Sequence, residues 1–180
     1  TNHVTIVHPR ALDLQEAESR QLLAAMQPYF QEDGIHLVFD TATRDHAWML
    51  YAWCRHCDDE IDGQELGMMP ATRSDDRGSD DKAASLARLR TETLRALAGE
   101  PVTEPAFQAL QRVAREYAIP ERYALELLAG FEMDVTDYRY RTFDETLLYC
   151  YRVAGVVGIM MAMVMGVRDR EALRRAADLG

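Results

Sequence analysis

The run AWMLYAWCRHCDDEID, residues 47–62, decides the fold. From Ala47 to Cys54 every side chain is apolar or aromatic, and no glycine or proline interrupts the stretch. Wound at the helical period of 3.6, such a run covers every face of the helix. A helix that is apolar all round sits in the middle of a bundle. Asp58, Asp59, Glu60 and Asp62 follow at once, four acids in five positions, and they demand water or a cation. Thr43 is placed to cap this helix, which is expected over residues 44–61.

Helical patterning continues on both sides. Asp13 can cap a first helix over residues 14–30, with Leu14, Leu22, Leu23, Met26 and Phe30 as a partial stripe and Pro28 as its end or bend. Residues 31–40 have no clear period. Residues 63–80 combine Gly63, Gly67, Pro70 and Gly78 with many polar side chains, and read as a mobile solvated loop. A helix over residues 81–98 follows, with Gly99 as terminator. Thr103 caps the next, with Pro105 in its first turn and Pro120 beyond its end. Residues 120–138 form another. Thr142 and Glu145 are spaced as a capping box ahead of a long helix to about Met165, and Asp169 caps a last one. No alternation of period two flanked by hairpin turns is found. The fold class is all-α, with about seven helices whose short connections make neighbours antiparallel.

The 180 residues fit a single domain, or part of a larger one, and 48% apolar composition supports a real core. The net charge of −10 and the pI near 4.9 make the chain a poor partner for nucleic acid, whose phosphates would be repelled. Three cysteines, an odd and low number, fit a reducing compartment. The chain starts at Thr1, and residues 1–15 do not resemble a secretory leader. Its longest uncharged apolar run, residues 153–167, is shorter than the roughly 20 residues of a membrane span and reads as a buried helix.

On a helix, Tyr51, Arg55, Asp58 and Asp62 share one stripe, because their spacings are four, three and four. Two carboxylates one turn apart repel, and a helix C-terminus disfavours anions further. The exposed end of a helix is the ordinary explanation. A divalent cation is the other, since Mg²⁺ takes one or two carboxylates and fills its shell with water and substrate phosphate. Arg55 could then hold a phosphate oxygen. Cys54 and Cys57 form a C-x-x-C, but no second pair completes a zinc site and no βαβ setting supports a redox pair, so they read as packed helical cysteines. His56 points away from the acidic stripe.

The second decisive stretch is YCYRVAGVVGIMMAMVMG, residues 149–166. Gly155, Gly158, Ala154 and Ala162 permit close helix packing or leave room for a long ligand, and the methionines offer an adaptable lining. Together the two stretches describe an apolar slot with an acidic mouth, which suggests isoprenoid diphosphate chemistry.

These residues carry a resemblance. YAWCRHCDDEID resembles the first aspartate-rich motif, D-x-x-x-D, of the squalene and phytoene synthases. YCYRVAGVVGIMMAMV resembles the tyrosine-led motif of that family, and GFEMDV, residues 130–135, its intervening G-x-x-M-D segment. The likeness runs from about Phe39 to Gly180 and is nearest to the bacterial phytoene synthases. It implies a trans-isoprenoid synthase fold, a helical bundle around a central cavity, here as an amino-terminal portion of about seven helices. It implies head-to-head condensation of two geranylgeranyl diphosphates through prephytoene diphosphate to phytoene, with Mg²⁺ or Mn²⁺ bound by Asp58 and Asp62. Arg55 would contact diphosphate, Tyr51 and Tyr149 would lie near the reacting ends, and Val153, Val157 and Gly158 would line the tail pocket. The greasy substrate is compatible with a cytoplasmic protein in peripheral contact with a membrane.

Three departures stand out. The family's second aspartate-rich motif, expected just after the D-L-G ending at Gly180, is not in this chain. Gln31 to His36 do not align with the family's Ser-Phe stretch. Glu60 replaces a common aliphatic residue and is expected to add charge at the mouth. Two other readings stay open: a squalene or dehydrosqualene synthase using farnesyl diphosphate, and a non-catalytic relative acting in binding or assembly.

Overall fold

The structure, a computed structural model, describes residues 41–63 and 79–180. The helix expected over residues 14–30, the divergent stretch 31–36 and most of the polar loop at 63–80 lie outside the described residues. Every regular element within them is helical: α1 Thr41–Asp62, α2 Ser79–Leu97, α3 Pro105–Tyr117, α4 Glu121–Val135, α5 Phe143–Cys150, a π-helical turn Tyr151–Gly155, α6 Val156–Val164 and α7 Arg170–Leu179. The all-α expectation is met.

Local chemistry sets most of the ends. Gly99 takes the left-handed φ of +77°, and its N–H and that of Glu100 close on Ala96 and Arg95 carbonyls, a Schellman ending for α2. The Thr142 hydroxyl accepts from the Glu145 N–H at 3.2 Å while Glu145 accepts from the Thr142 N–H at 3.2 Å, so the capping box is present. Asp169 accepts from the Ala172 N–H at 2.9 Å and caps α7. Two caps differ from expectation. Thr43 is helical and buried, so α1 begins at least three residues before the expected start at Arg44. Glu104, not Thr103, occupies the N-cap of α3, and its carboxylate makes no cap bond because it is drawn to Arg88 at 3.1 Å and His56 at 3.0 Å.

The core forms where α1 lies against α3, with α2 and α6 alongside, while α4 packs against α2 and the π turn. Trp53, Leu50, Phe107, Leu110, Leu128 and Met160 are fully buried within it. Burial of side chains this size contributes roughly 1.5–3 kcal/mol apiece. The α1 run from Ala47 to Trp53 supplies five of the core residues, as its all-round apolarity requires. The helix from Phe143 to Val164 is continuous and, by length and composition alone, could cross a membrane. Its α6 part buries Val156, Ile159, Met160, Met163 and Val164 inside the bundle, as expected of that stretch, whereas its α5 part buries no residue.

Candidate active site

A cleft of about 580 Å³ runs between α1, α4 and the continuous helix Phe143–Val164. From α1 it is lined by Tyr51, Cys54, Arg55 and Asp58, which the three-and-four spacing brings to one face. From α4 come Leu127, Phe131 and Asp134, again one stripe. The facing helix adds Tyr149, Val153, Val157, Gly158 and Met161. One part is therefore polar and acidic and the rest apolar.

At the polar part, Arg55 is shared. Its Nη1 lies 3.3 Å from Asp58 Oδ2 and its Nε 3.3 Å from the buried Asp59. A guanidinium has five N–H donors, so this pairing leaves others for a phosphate oxygen. Burial pushes the Asp58 carboxyl above its ordinary range, Asp62 adds to the push, and Arg55 opposes it. Asp134 is raised as well, by burial first, with the Tyr149 hydrogen bond opposing and Asp62 adding. The Tyr149 hydroxyl donates to Asp134 Oδ2 at 3.1 Å, and burial with this carboxylate beside it raises the phenol strongly. The Tyr149 ring also lies 5.3 Å from that of Tyr140, tilted by 51°, and Tyr140 meets Tyr138 edge-on at 5.5 Å.

Asp58, pushed up by burial and then by its acidic neighbours, sits in unbalanced negative charge that a divalent cation would relieve. Asp58 and Asp62 fit such an ion by donor type, since hard oxygen ligands suit Mg²⁺ and two suffice. Among the described residues no cluster of three or more His, Cys, Asp or Glu is arranged around a single ion.

The structure thus brings Tyr51, Arg55, Asp58, Tyr149, Val153, Val157 and Gly158 to one cleft. Asp62 does not line it; it is exposed one turn beyond Asp58, at the rim. Gly158 also serves packing: a Cβ there would come within 2.4 Å of the Ala176 carbonyl oxygen of α7. Glu60 is not at the mouth. It turns to α2 and pairs with Arg88 at 2.8 Å, because its helical position faces away from Asp58. His56 does likewise, packing edge-on against Phe107. Burial pushes the Cys54 thiol up to about 12 and Cys57 also well up, as suits cysteines packed in a helix. Asp134 is the residue sequence reasoning missed. Its signal was in view, as the acid of GFEMDV, but only the packing of α4 on the next helix shows that it meets Tyr149.

The family profile described as squalene/phytoene synthase matches residues 35–180. Among curated proteins, the chain is 54% identical over 143 residues to a phytoene synthase of Pseudescherichia vulneris, covering 79% of this chain and 45% of the relative. It is 49% identical over 146 residues to a 15-cis-phytoene synthase of Pantoea ananas, with 79% and 45% covered. The chain spans about half the length of the curated relatives it matches. Among solved structures, a squalene synthase from Alicyclobacillus acidocaldarius superposes with TM-score 0.67 at 25% identity, covering 89% of this chain and 57% of that one. A dehydrosqualene synthase in complex with ligand gives TM-score 0.72 at 22% identity, covering 91% and 54%. The solved structures share the fold, and with the profile matching most of its length the chain belongs to the squalene/phytoene synthase family.

Proposed function

We propose that this chain forms the diphosphate-binding and tail-binding wall of a phytoene synthase, a prenyltransferase that condenses two geranylgeranyl diphosphates to phytoene through prephytoene diphosphate. The observation that carries the reading is the two-part cleft: Arg55, Asp58, Asp134 and Tyr149 at one part, Leu127, Phe131, Val153, Val157 and Met161 along the rest. A prenyl diphosphate has the same division, a charged head on a long apolar tail. The naming of relatives at 49–54% identity favours phytoene over squalene as product.

Asp58 and Asp62 would hold Mg²⁺ or Mn²⁺. When bound, the metal acts as a Lewis acid that draws charge from the departing diphosphate. Arg55 donates to diphosphate oxygens and offsets part of their charge. Tyr149, held by Asp134, and Tyr51 would lie near the reacting ends of the substrates. The apolar walls keep water from the allylic cation left by diphosphate departure, so that it alkylates the second prenyl chain rather than being quenched.

Calorimetry with S-thiolo-geranylgeranyl diphosphate, which resists ionisation, tests the site. Binding is expected with Mg²⁺ and lost in Asp58→Asn; unchanged binding in that variant would reject the assignment. Product analysis with geranylgeranyl and farnesyl diphosphates then separates phytoene from squalene or dehydrosqualene chemistry. We further propose a cytoplasmic protein in peripheral contact with a membrane. Phe143, Leu147 and Leu148 support this, being exposed on α5, the helix that also carries Tyr149. Co-sedimentation with phosphatidylcholine vesicles should fall when Phe143 and Leu147 become Ser.

A further inference from the structure

We propose that Gly130 sets the width of the cleft by letting the π turn seat directly on α4, and so fixes how far Val153 reaches into the tail channel. The inference rests on the reading of this cleft as a prenyl site. Gly130 is buried on α4, between the cleft residues Leu127 and Phe131 on one side and Asp134 one turn beyond. A Cβ built on it would lie 2.7 Å from Val153 Cγ1, 3.1 Å from Arg152 Cβ and 3.4 Å from the Arg152 carbonyl carbon. The first distance is well inside the roughly 3.5–4.0 Å optimum between carbons.

The surroundings cannot simply give way. Val153 is β-branched, and in a helix such a side chain has essentially one χ1 well. Arg152 cannot retreat either. Its guanidinium is tied to Glu126 of α4 at 3.0 Å and to Met133 Sδ at 3.4 Å, which clamps the π turn on both sides of Gly130. A methyl at position 130 must therefore turn Val153 into the cleft or lift the π turn off α4. Either change alters the wall that a prenyl tail would touch. Neither moves α1, which carries Arg55 and Asp58. Gly130 is thus a positioning residue that acts through Val153.

The test is a double-mutant cycle of Gly130→Ala and Val153→Ala, read with two probes in Mg²⁺: S-thiolo-geranylgeranyl diphosphate and inorganic pyrophosphate. Gly130→Ala should weaken the prenyl probe about tenfold, the scale of a modest overpacking penalty, and leave pyrophosphate within about twofold. In the Val153→Ala background the same substitution should have little further effect. Equal loss of both probes, or an equal loss in both backgrounds, overturns the proposal. The melting temperature gives a second reading that needs no ligand. Glycine to alanine inside a helix ordinarily stabilises, yet here a fall of about 5 °C is expected, and none once Val153 is Ala. A rise on Gly130→Ala while Val153 is still valine overturns the proposal. If wild-type protein binds neither probe, the prenyl reading fails, and the melting cycle alone decides whether Gly130 acts through Val153. If Gly130→Ala yields no folded protein, the double variant must fold; an unfolded double variant overturns it.

Discussion

Asp58 sits in surroundings that oppose its charged form. It is part-buried, faces Asp62 and Asp134, and has only Arg55 in its favour among the groups that shift it. Its raised pKa fixes a sign. A carboxyl whose folded value exceeds the unfolded one takes up protons on folding. Its favourable contribution is complete below the ordinary value of 3.8 and is lost as pH rises through the raised value. Asp58→Asn should therefore raise the melting temperature at pH 7 while abolishing Mg²⁺-dependent ligand binding, and the gain should vanish below the ordinary carboxylate range. Thermal melts across pH check this; a destabilised variant at pH 7 would show that the Arg55 pair outweighs the repulsion. Stability given up at a site for the sake of ligand is the usual trade. The alignment of Tyr51, Arg55 and Asp58 was legible in the sequence, because helical spacing alone produces it. Asp134 was not, because its partner Tyr149 is 15 positions away on another element. Glu60 was misread for the same reason: nothing local announces that Arg88 waits on α2.

Elements follow the same division between local and distant causes. The α5 capping box is written within four residues and was legible. Thr142→Ala removes the acceptor for the Glu145 N–H and should destabilise the chain by about 1 kcal/mol, seen as an earlier urea midpoint at unchanged m-value. Since α5 buries no residue, little packing is available to hold its first turn in compensation. If the midpoint does not move, the cap is fully replaced by water. The π turn that follows, Tyr151–Gly155, has no comparable local code, and the sequence reads through it as plain helix. Its cause lies in packing. Gly155 meets the Ala177 carbonyl oxygen of α7, where a Cβ would stand 3.0 Å away, while Arg152 is pulled toward Glu126 of α4. A helix gripped on two sides at different heights accommodates the mismatch by one wider turn, and such turns collect at functional sites.

At the scale of the whole molecule the all-α class was readable from helical patterning along the chain and the want of period-two alternation, and Ala47 to Cys54 set its helix in the middle of the bundle. What the run could not reveal is which helices flank the cleft, since that depends on crossings such as that of α4 with the π turn. Charge is the property that acts across the assembled fold. The chain carries −10, and Asp58, Asp62 and Asp134 concentrate negative charge at the polar part of the cleft. A diphosphate is itself strongly anionic, so its approach without a cation is opposed by the very groups proposed to bind it. A divalent ion alone finds two carboxylates and an Arg55 guanidinium that competes for one of them. Each ligand therefore supplies what the other lacks, and their coupling is reciprocal by necessity. Thermal shift should show it directly. Mg²⁺ alone and S-thiolo-geranylgeranyl diphosphate alone should each move the melting temperature little, and together move it by more than the sum, with the excess growing as either concentration rises. Raising ionic strength should shrink the opposition to the lone diphosphate, because exposed charges such as Asp62 are screened over about 10 Å at 0.1 M salt. Strictly additive shifts would mean that the acids at the rim and the head group of the ligand do not share an ion.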